Sequence, residues 1–213
     1  MSALIKLQVA LDFTNLNTAI RIAEDVNKYI DIIEVGTPLI KSEGIKTVKI
    51  IKKRFPNKEV VADMKIMDTG YMEARLAFEN LADYVTVLAV ASDETLKQVV
   101  KAASEYNKGV MVDFISVRNA TERMKDIIKY NPDYVLIHSG IDEQSKGIYP
   151  FELFDRIKSR FRNIKIGIVG GVNALNIKKI KNLPDLVIVG SFITKSRNPQ
   201  DAAKKMREVL WKL

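Results

Sequence analysis

Eight short runs of aliphatic and β-branched residues punctuate the chain, and a helical pattern follows each of them. The runs are Leu7–Leu11, Asp31–Val35, Val60–Met64, Tyr84–Leu88, Val110–Phe114, Tyr134–His138, Ile164–Val169 and Leu186–Val189. Most are nearly continuous in apolar residues, which predicts parallel strands buried on both faces. Between them, Ala19, Ile22, Ala23 and Val26 recur at helical spacing. Leu96, Val99, Val100 and Ala103 do the same after the cap signal Ser92-Asp93-Glu94, as do Met206, Val209, Leu210 and Leu213 at the end. The repeat is about 27 residues, the length of one βα unit. Eight such units without a break in composition predict an α/β chain folded as a single (β/α)8 TIM barrel, one domain over residues 1–213. The alternative, a doubly wound open sheet, usually has fewer strands and often a Gly-rich first turn, which Asp12-Phe13-Thr14 is not.

Composition narrows the chemistry. With Cys 0 and His 1, disulfides, thiolate nucleophiles, zinc ribbons and iron–sulfur clusters are excluded. A metal would have to be a hard ion held by carboxylates. Lys+Arg 34 against Asp+Glu 26 leaves a formal charge of +8, which suits nucleic acid, an anionic surface or an anionic metabolite. The cations are scattered through helix patterns such as Lys46, Lys49, Lys52, Lys53 and Lys178, Lys179, Lys181, which reads as solvated helix faces. The opening Met-Ser-Ala-Leu-Ile-Lys runs into the first strand pattern without a signal-peptide core, and no apolar run approaches the roughly 18 residues that span a bilayer. The expectation is a cytoplasmic protein that acts on a small molecule, with no nucleic-acid or membrane partner.

Where charge interrupts the strands is the informative feature. Asp12 follows strand 1, Glu34 lies near the end of strand 2, Asp63 and Lys65 close strand 3, Asp113 lies near the end of strand 5, and His138 ends strand 6. Gly170-Gly171 follows strand 7 and Gly190-Ser191 follows strand 8. All lie at C-terminal strand ends, the face on which barrel enzymes build their sites. Asp63 and Lys65, two apart on a strand, are expected to share a face, while Asp68 lies beyond the strand, at the start of the loop. Glu34 and Asp63 come from neighbouring strands and form a pair of hard oxygen ligands suited to Mg²⁺; a Glu34–Lys65 ion pair without metal is the alternative. The two glycine turns fit a phosphate site, where backbone N–H groups face an anion at close range, although a glycine after a strand also serves simple turn chemistry. His138, the one imidazole, is the candidate general acid/base.

The stretches Leu7-Gln8-Val9-Ala10-Leu11-Asp12, Asp31-Ile32-Ile33-Glu34-Val35-Gly36-Thr37-Pro38, Ala62-Asp63 with Lys65 and Asp68, and His138-Ser139-Gly140-Ile141-Asp142-Glu143-Gln144 resemble the 3-hexulose-6-phosphate synthases. These belong to the sugar-phosphate branch of the orotidine-5′-monophosphate decarboxylase superfamily, and the resemblance covers essentially the whole chain. The sister 3-keto-L-gulonate-6-phosphate decarboxylases carry Glu at the place of Asp113, Arg at the place of Ile141 and Arg at the place of Ser191. The chain departs from the synthases at Val169, where they have a small residue, and at Gly190-Ser191-Phe192, where they have Gly-Gly-Ala.

The resemblance implies Mg²⁺-dependent aldol condensation of formaldehyde with D-ribulose 5-phosphate and the reverse cleavage. It further implies metal ligands Glu34 and Asp63, catalytic roles for His138, Lys65, Asp63 and Asp68, and substrate contacts from Asp12, Asp113, Gly170, Gly171, Gly190 and Ser191. A homodimer with shared active sites is implied as well, Asp68 reaching into the neighbouring subunit's site.

Overall fold

The computed structural model describes residues 4–213. Strands β1 (Lys6–Leu11), β2 (Ile32–Val35), β3 (Glu59–Ile66), β4 (Tyr84–Leu88), β5 (Gly109–Asp113), β6 (Tyr134–His138), β7 (Ile166–Val169) and β8 (Leu186–Val189) pair in parallel, in chain order, and β8 closes on β1. This is the (β/α)8 TIM barrel that the alternation of apolar runs and helical patterns predicts.

The period of two along each strand divides the core. Leu7, Val9 and Leu11 of β1 pack outward against the helices, while Ala10 joins Ile32, Val61, Met111, Leu136 and Ile188 inside the barrel. Two residues further along these inward registers stand Glu34 after Ile32, Asp63 after Val61, Asp113 after Met111 and His138 after Leu136. Strand alternation therefore delivers the charged residues to the C-terminal rim, above an apolar plug.

The outer layer is started by side-chain caps. Asn15, Ser92, Asn119 and Asn198 each accept a hydrogen bond from a backbone N–H three residues on, opening helices Leu16–Val26, Asp93–Tyr106, Ala120–Ile127 and Pro199–Leu210. Two expectations give way. The last helix stops at Leu210, so Leu213 lies past it and is partly exposed. After β7 the chain makes only the 3₁₀ turn Ile177–Lys179. There the Asn173 side chain accepts from the N–H groups of Leu175 and Asn176, and Asn176 answers to Asn173 N–H and Gly171 O, local bonds that compete with a helix. Among the described residues, no helix is long and apolar enough to cross a membrane.

Candidate active site at the C-terminal rim

Three carboxylates gather around one lysine where β1, β2 and β3 end. Asp12 occupies space that a side chain on β2's exit turn would fill. A Cβ on Gly36 would lie 2.3 Å from Asp12 Oδ1, and one on Gly190 would lie 3.8 Å from Asp12 Oδ2. Glu34 is buried and accepts a 2.6 Å hydrogen bond from Gln8 Nε2, while Gln8 Oε1 is buried without a partner. Asp63 is held more fully. Thr86 Oγ1 donates to its Oδ1 at 2.8 Å, Thr37 Oγ1 lies 2.7 Å from both its Oδ2 and its carbonyl oxygen, and the Lys65 ammonium pairs with Oδ2.

β3 reaches this arrangement through a break in register. Ala62 pairs with Val85 and Ile66 with Val87, so four steps of β3 span two of β4. Within the break Lys65 adopts a left-handed backbone, φ 48°, and its N–H donates to Thr86 Oγ1 at 2.9 Å. Asp63 and Lys65 do meet, as expected, but a bulge rather than plain alternation brings them together. Lys65 Nζ pairs with Asp63 and also reaches Thr37 Oγ1 at 3.3 Å; Glu34 takes Gln8 instead.

The electrostatics follow from this unequal sharing. Burial pushes the Glu34 carboxyl well above the usual carboxylate range, and the charges of Asp63 and Asp12 push it further. Asp12 is raised by burial and then by Asp63. Asp63 goes the other way. Burial alone would raise it, but the Lys65 charge and the hydrogen bonds from Lys65, Thr37 and Thr86 together outweigh that effect. For Lys65, burial works against the ammonium, and the charges of Asp63, Glu34 and Asp113 overcome it, so the amine is held protonated. A lysine in this state is a fixed positive charge and a poor nucleophile, and nothing in its surroundings suits it to Schiff-base formation.

On the neighbouring strands β5 and β6, His138 Nδ1 lies 2.8 Å from Asp113 Oδ2, and Asp113 Oδ1 also accepts from Ile115 N–H at 2.9 Å. A carboxylate only accepts, so Nδ1 carries the hydrogen and Nε2 is the nitrogen left for proton transfer. Asp113 thus orients the imidazole, a partnership that strand register creates.

Gly170 and Gly171 have φ 108° and 65°, and a Cβ on Gly170 would lie 2.2 Å from Ser139 O, so no side chain fits this turn. Gly190 and the exposed Ser191 begin a single turn of helix, Ser191–Thr194, on the adjacent strand. Asp68 stands apart from the other site residues. It is exposed, and its Oδ1 accepts from Thr69 N–H at 2.7 Å.

Gln8 and Thr37 stand in the resembling stretches without a role assigned to them, and Thr86 is not singled out in the sequence at all. Thr86 carried a signal: it is the one short polar side chain in Tyr84–Leu88, on a register that points inward.

A closed barrel with a carboxylate–lysine cluster and an acid–base pair on one rim defines an enzyme. The model described as "Orotidine 5'-phosphate decarboxylase / HUMPS family" matches residues 5–206, and the chain belongs to that family. It is 40% identical over 206 residues to 3-hexulose-6-phosphate synthase of Bacillus subtilis, covering 96% of this chain and 98% of that protein. The crystal structure of 3-hexulose-6-phosphate synthase from Salmonella typhimurium superimposes with a TM-score of 0.94 at 38% identity, over 98% of this chain and 99% of that one. 3-Keto-L-gulonate-6-phosphate decarboxylase from Vibrio cholerae superimposes at 0.87 with 29% identity, over 98% of both chains. The resemblance read from the motifs therefore holds along the chain, which takes its place among the carbon–carbon lyases of the family.

Proposed function

We propose that the chain condenses formaldehyde with D-ribulose 5-phosphate to D-arabino-hex-3-ulose 6-phosphate, using Mg²⁺, and catalyses the reverse cleavage. The observation that carries this reading is the presence, on one rim, of the Asp63–Lys65 cluster and the Asp113–His138 pair. The name of the synthase relatives supports a 3-hexulose 6-phosphate as the product, and the two substrates are those the resemblance implies.

The step that needs help is removal of a C1 hydrogen beside the ketone. His138 Nε2 takes that proton, and Asp113 stabilises the imidazolium it becomes. The enediolate left behind attacks the formaldehyde carbon through C1, and the aldehyde oxygen takes up a proton to become the new hydroxyl. Lys65 places a fixed positive charge beside the enediolate oxygens. Asp12 accepts hydrogen bonds from the sugar hydroxyls, and the N–H groups of Gly170, Gly171, Gly190 and Ser191 receive the phosphate.

Glu34 and Asp63 suit a hard divalent cation. Asp12, Glu34 and Asp63 outnumber Lys65, and beside them Gln8 Oε1 is an acceptor without a donor. Among the described residues no three His, Cys, Asp or Glu side chains form a metal cage, so the ion would keep positions for water and substrate oxygens. When bound, Mg²⁺ supplies Lewis-acid stabilisation of the developing oxyanion.

The working unit in this reading is a homodimer with shared active sites. Met67 beside Asp68, Met72 on the helix that follows, and Val90 on the next loop are exposed apolar residues, and Asp68 itself is exposed with its carboxylate hydrogen-bonded to the neighbouring Thr69 N–H. The sister decarboxylation of 3-keto-L-gulonate 6-phosphate is the less supported reading. Ile141 and Ser191 stand where the resemblance gives that enzyme arginines, and Ile141 is 72% exposed with no charge to offer.

The C1 hydrogen of ribulose 5-phosphate should exchange with D₂O in the absence of formaldehyde, and EDTA should stop the exchange. His138→Ala should slow it by about 10²–10⁴-fold, the span of a positioned acid/base. Absence of metal-dependent exchange, together with efficient decarboxylation of the gulonate, would replace the synthase reading with its sister.

A further inference from the structure

We propose that Thr86 is a positioning residue for this chemistry: its hydroxyl holds the register break in β3 and thereby sets Lys65 against Asp63. The inference rests on the reading that Asp63 and Lys65 serve the reaction. Thr86 lies on the inward register of β4 and is 2% exposed. Its oxygen accepts from Lys65 N–H at 2.9 Å and its hydrogen goes to Asp63 Oδ1 at 2.8 Å, so one hydroxyl brackets both residues. The two bonds differ in direction, and each fixes the other. A hydroxyl has a single hydrogen, and committing it to Asp63 leaves a lone pair for the amide.

The need for such a bracket comes from the backbone. A left-handed φ at a lysine is sparsely populated and persists only where its surroundings over-determine it. At the break, the pairing of β3 with β4 is interrupted between Ala62 and Ile66, so Lys65 N–H takes Thr86 Oγ1 as its acceptor. With Asp63 turned by Thr86 on one oxygen, its other oxygen faces Thr37 and the Lys65 ammonium. The small polar group inside an otherwise apolar strand therefore acts through two neighbours on the next strand.

Thr86→Val tests this, because valine keeps the shape and strand preference and removes both hydrogen bonds. Expected is a fall in kcat of about 10²-fold, the scale of a roughly 1 Å misplacement, with KM for ribulose 5-phosphate within about threefold of wild type. Thr86→Ser, which retains the hydroxyl, should stay within about threefold of wild type in both constants. In the crystal structure of the Val variant, Lys65 should leave the left-handed region and its amine should part from Asp63. A Lys65 backbone that stays in place in that structure overturns the proposal whatever the rate does. Thr86→Ala is judged by the same structural measure should the Val variant fail to fold. If the wild type itself does not condense these substrates, the reaction proposed above falls and the crystallographic result alone decides Thr86.

Discussion

The two rims of the barrel both carry rings of carboxylates, and they are connected in opposite ways. At the N-terminal rim, Asp31, Asp83, Asp133 and Asp185 each stand immediately before an even-numbered strand. Each carboxylate accepts from a backbone N–H near the start of the preceding odd strand, at Leu7, Val60, Val110 and Ile166, over 2.7, 2.9, 2.8 and 2.7 Å. In return each aspartate's own N–H donates to the carbonyl of that same residue. Arg207 meets Asp31, Lys52 and Lys108 meet Asp83, and Lys158 meets Asp185. At these three of the four aspartates charge is matched where it arises, and all four form clamps between strand starts. At the C-terminal rim, Asp12, Glu34 and Asp63 divide one lysine among them. Crowded, under-compensated carboxylates make poor joints and good sites for a ligand that brings positive charge or polar hydrogens.

The contrast extends to completeness. Every lower-rim clamp closes within one chain, whereas the exposed Asp68 at the upper rim hydrogen-bonds to its neighbour Thr69 and, among the described residues, forms no hydrogen bond or ion pair with the site that it is proposed to serve. The largest effect should therefore be rescue by mixing. Asp68→Ala and Lys65→Ala should each be inactive alone. After subunit exchange of equal amounts, about a quarter of wild-type activity should return, since half the dimers are mixed and one of their two sites is whole. Lack of recovery, with exchange verified by mass spectrometry, would place Asp68 in its own subunit's chemistry or outside it.

A lower-rim substitution should do the reverse, costing stability and sparing the rate. Asp83→Ala removes the partner of two lysines and of Val60 N–H, a loss of about 1–3 kcal/mol. Burial would raise the Asp83 carboxyl, but hydrogen bonds from Lys108 and Lys52 and from Val60 N–H hold it below its ordinary value. The native state thus favours the ionised form. The stability it contributes is complete above an unfolded value of about 4 and is lost as pH falls through the lower folded value. Urea unfolding at neutral pH should separate variant from wild type, and the two should converge in acid. An undiminished gap in acid would assign the effect to packing instead of charge.

The sequence exposed the barrel because its strands are apolar on both faces and its charges cluster at one end of each. The rim residues were legible for the same reason: Glu34, Asp63, Asp113 and His138 each follow an inward apolar residue by two positions. The couplings between strands were not. Nothing local to β5 or β6 says that Asp113 meets His138, because register across two strands is a property of the closed barrel. The left-handed Lys65 is equally silent, since alternation predicts the same meeting with Asp63 by a different backbone. Thr86 hides as a good strand former in an apolar run. The lower-rim clamps did leave a trace, an aspartate directly before an apolar strand about every fifty residues, a period of two βα units that a search for single units passes over.

The smallest effect is the sharpest test of sign. Glu34→Gln keeps the size of the side chain and an oxygen for Gln8 Nε2, and it replaces an ionisable carboxyl, whose ionisation burial, Asp63 and Asp12 all oppose, with a neutral amide. If the upper rim is assembled for a ligand at the expense of stability, the variant in EDTA should be more stable than wild type by about 1 kcal/mol, the scale of relief at a strained active site. The sign is opposite to that expected for Asp83. Adding Mg²⁺ should then stabilise wild type more than the variant, because a cation bound only by the native state adds stability that grows with its concentration over Kd. Calorimetric midpoints in EDTA and in Mg²⁺ read both predictions. An E34Q protein that melts below wild type in EDTA would make Glu34 a structural carboxylate like those beneath it, and the division of labour between the two rims would fail at its central residue.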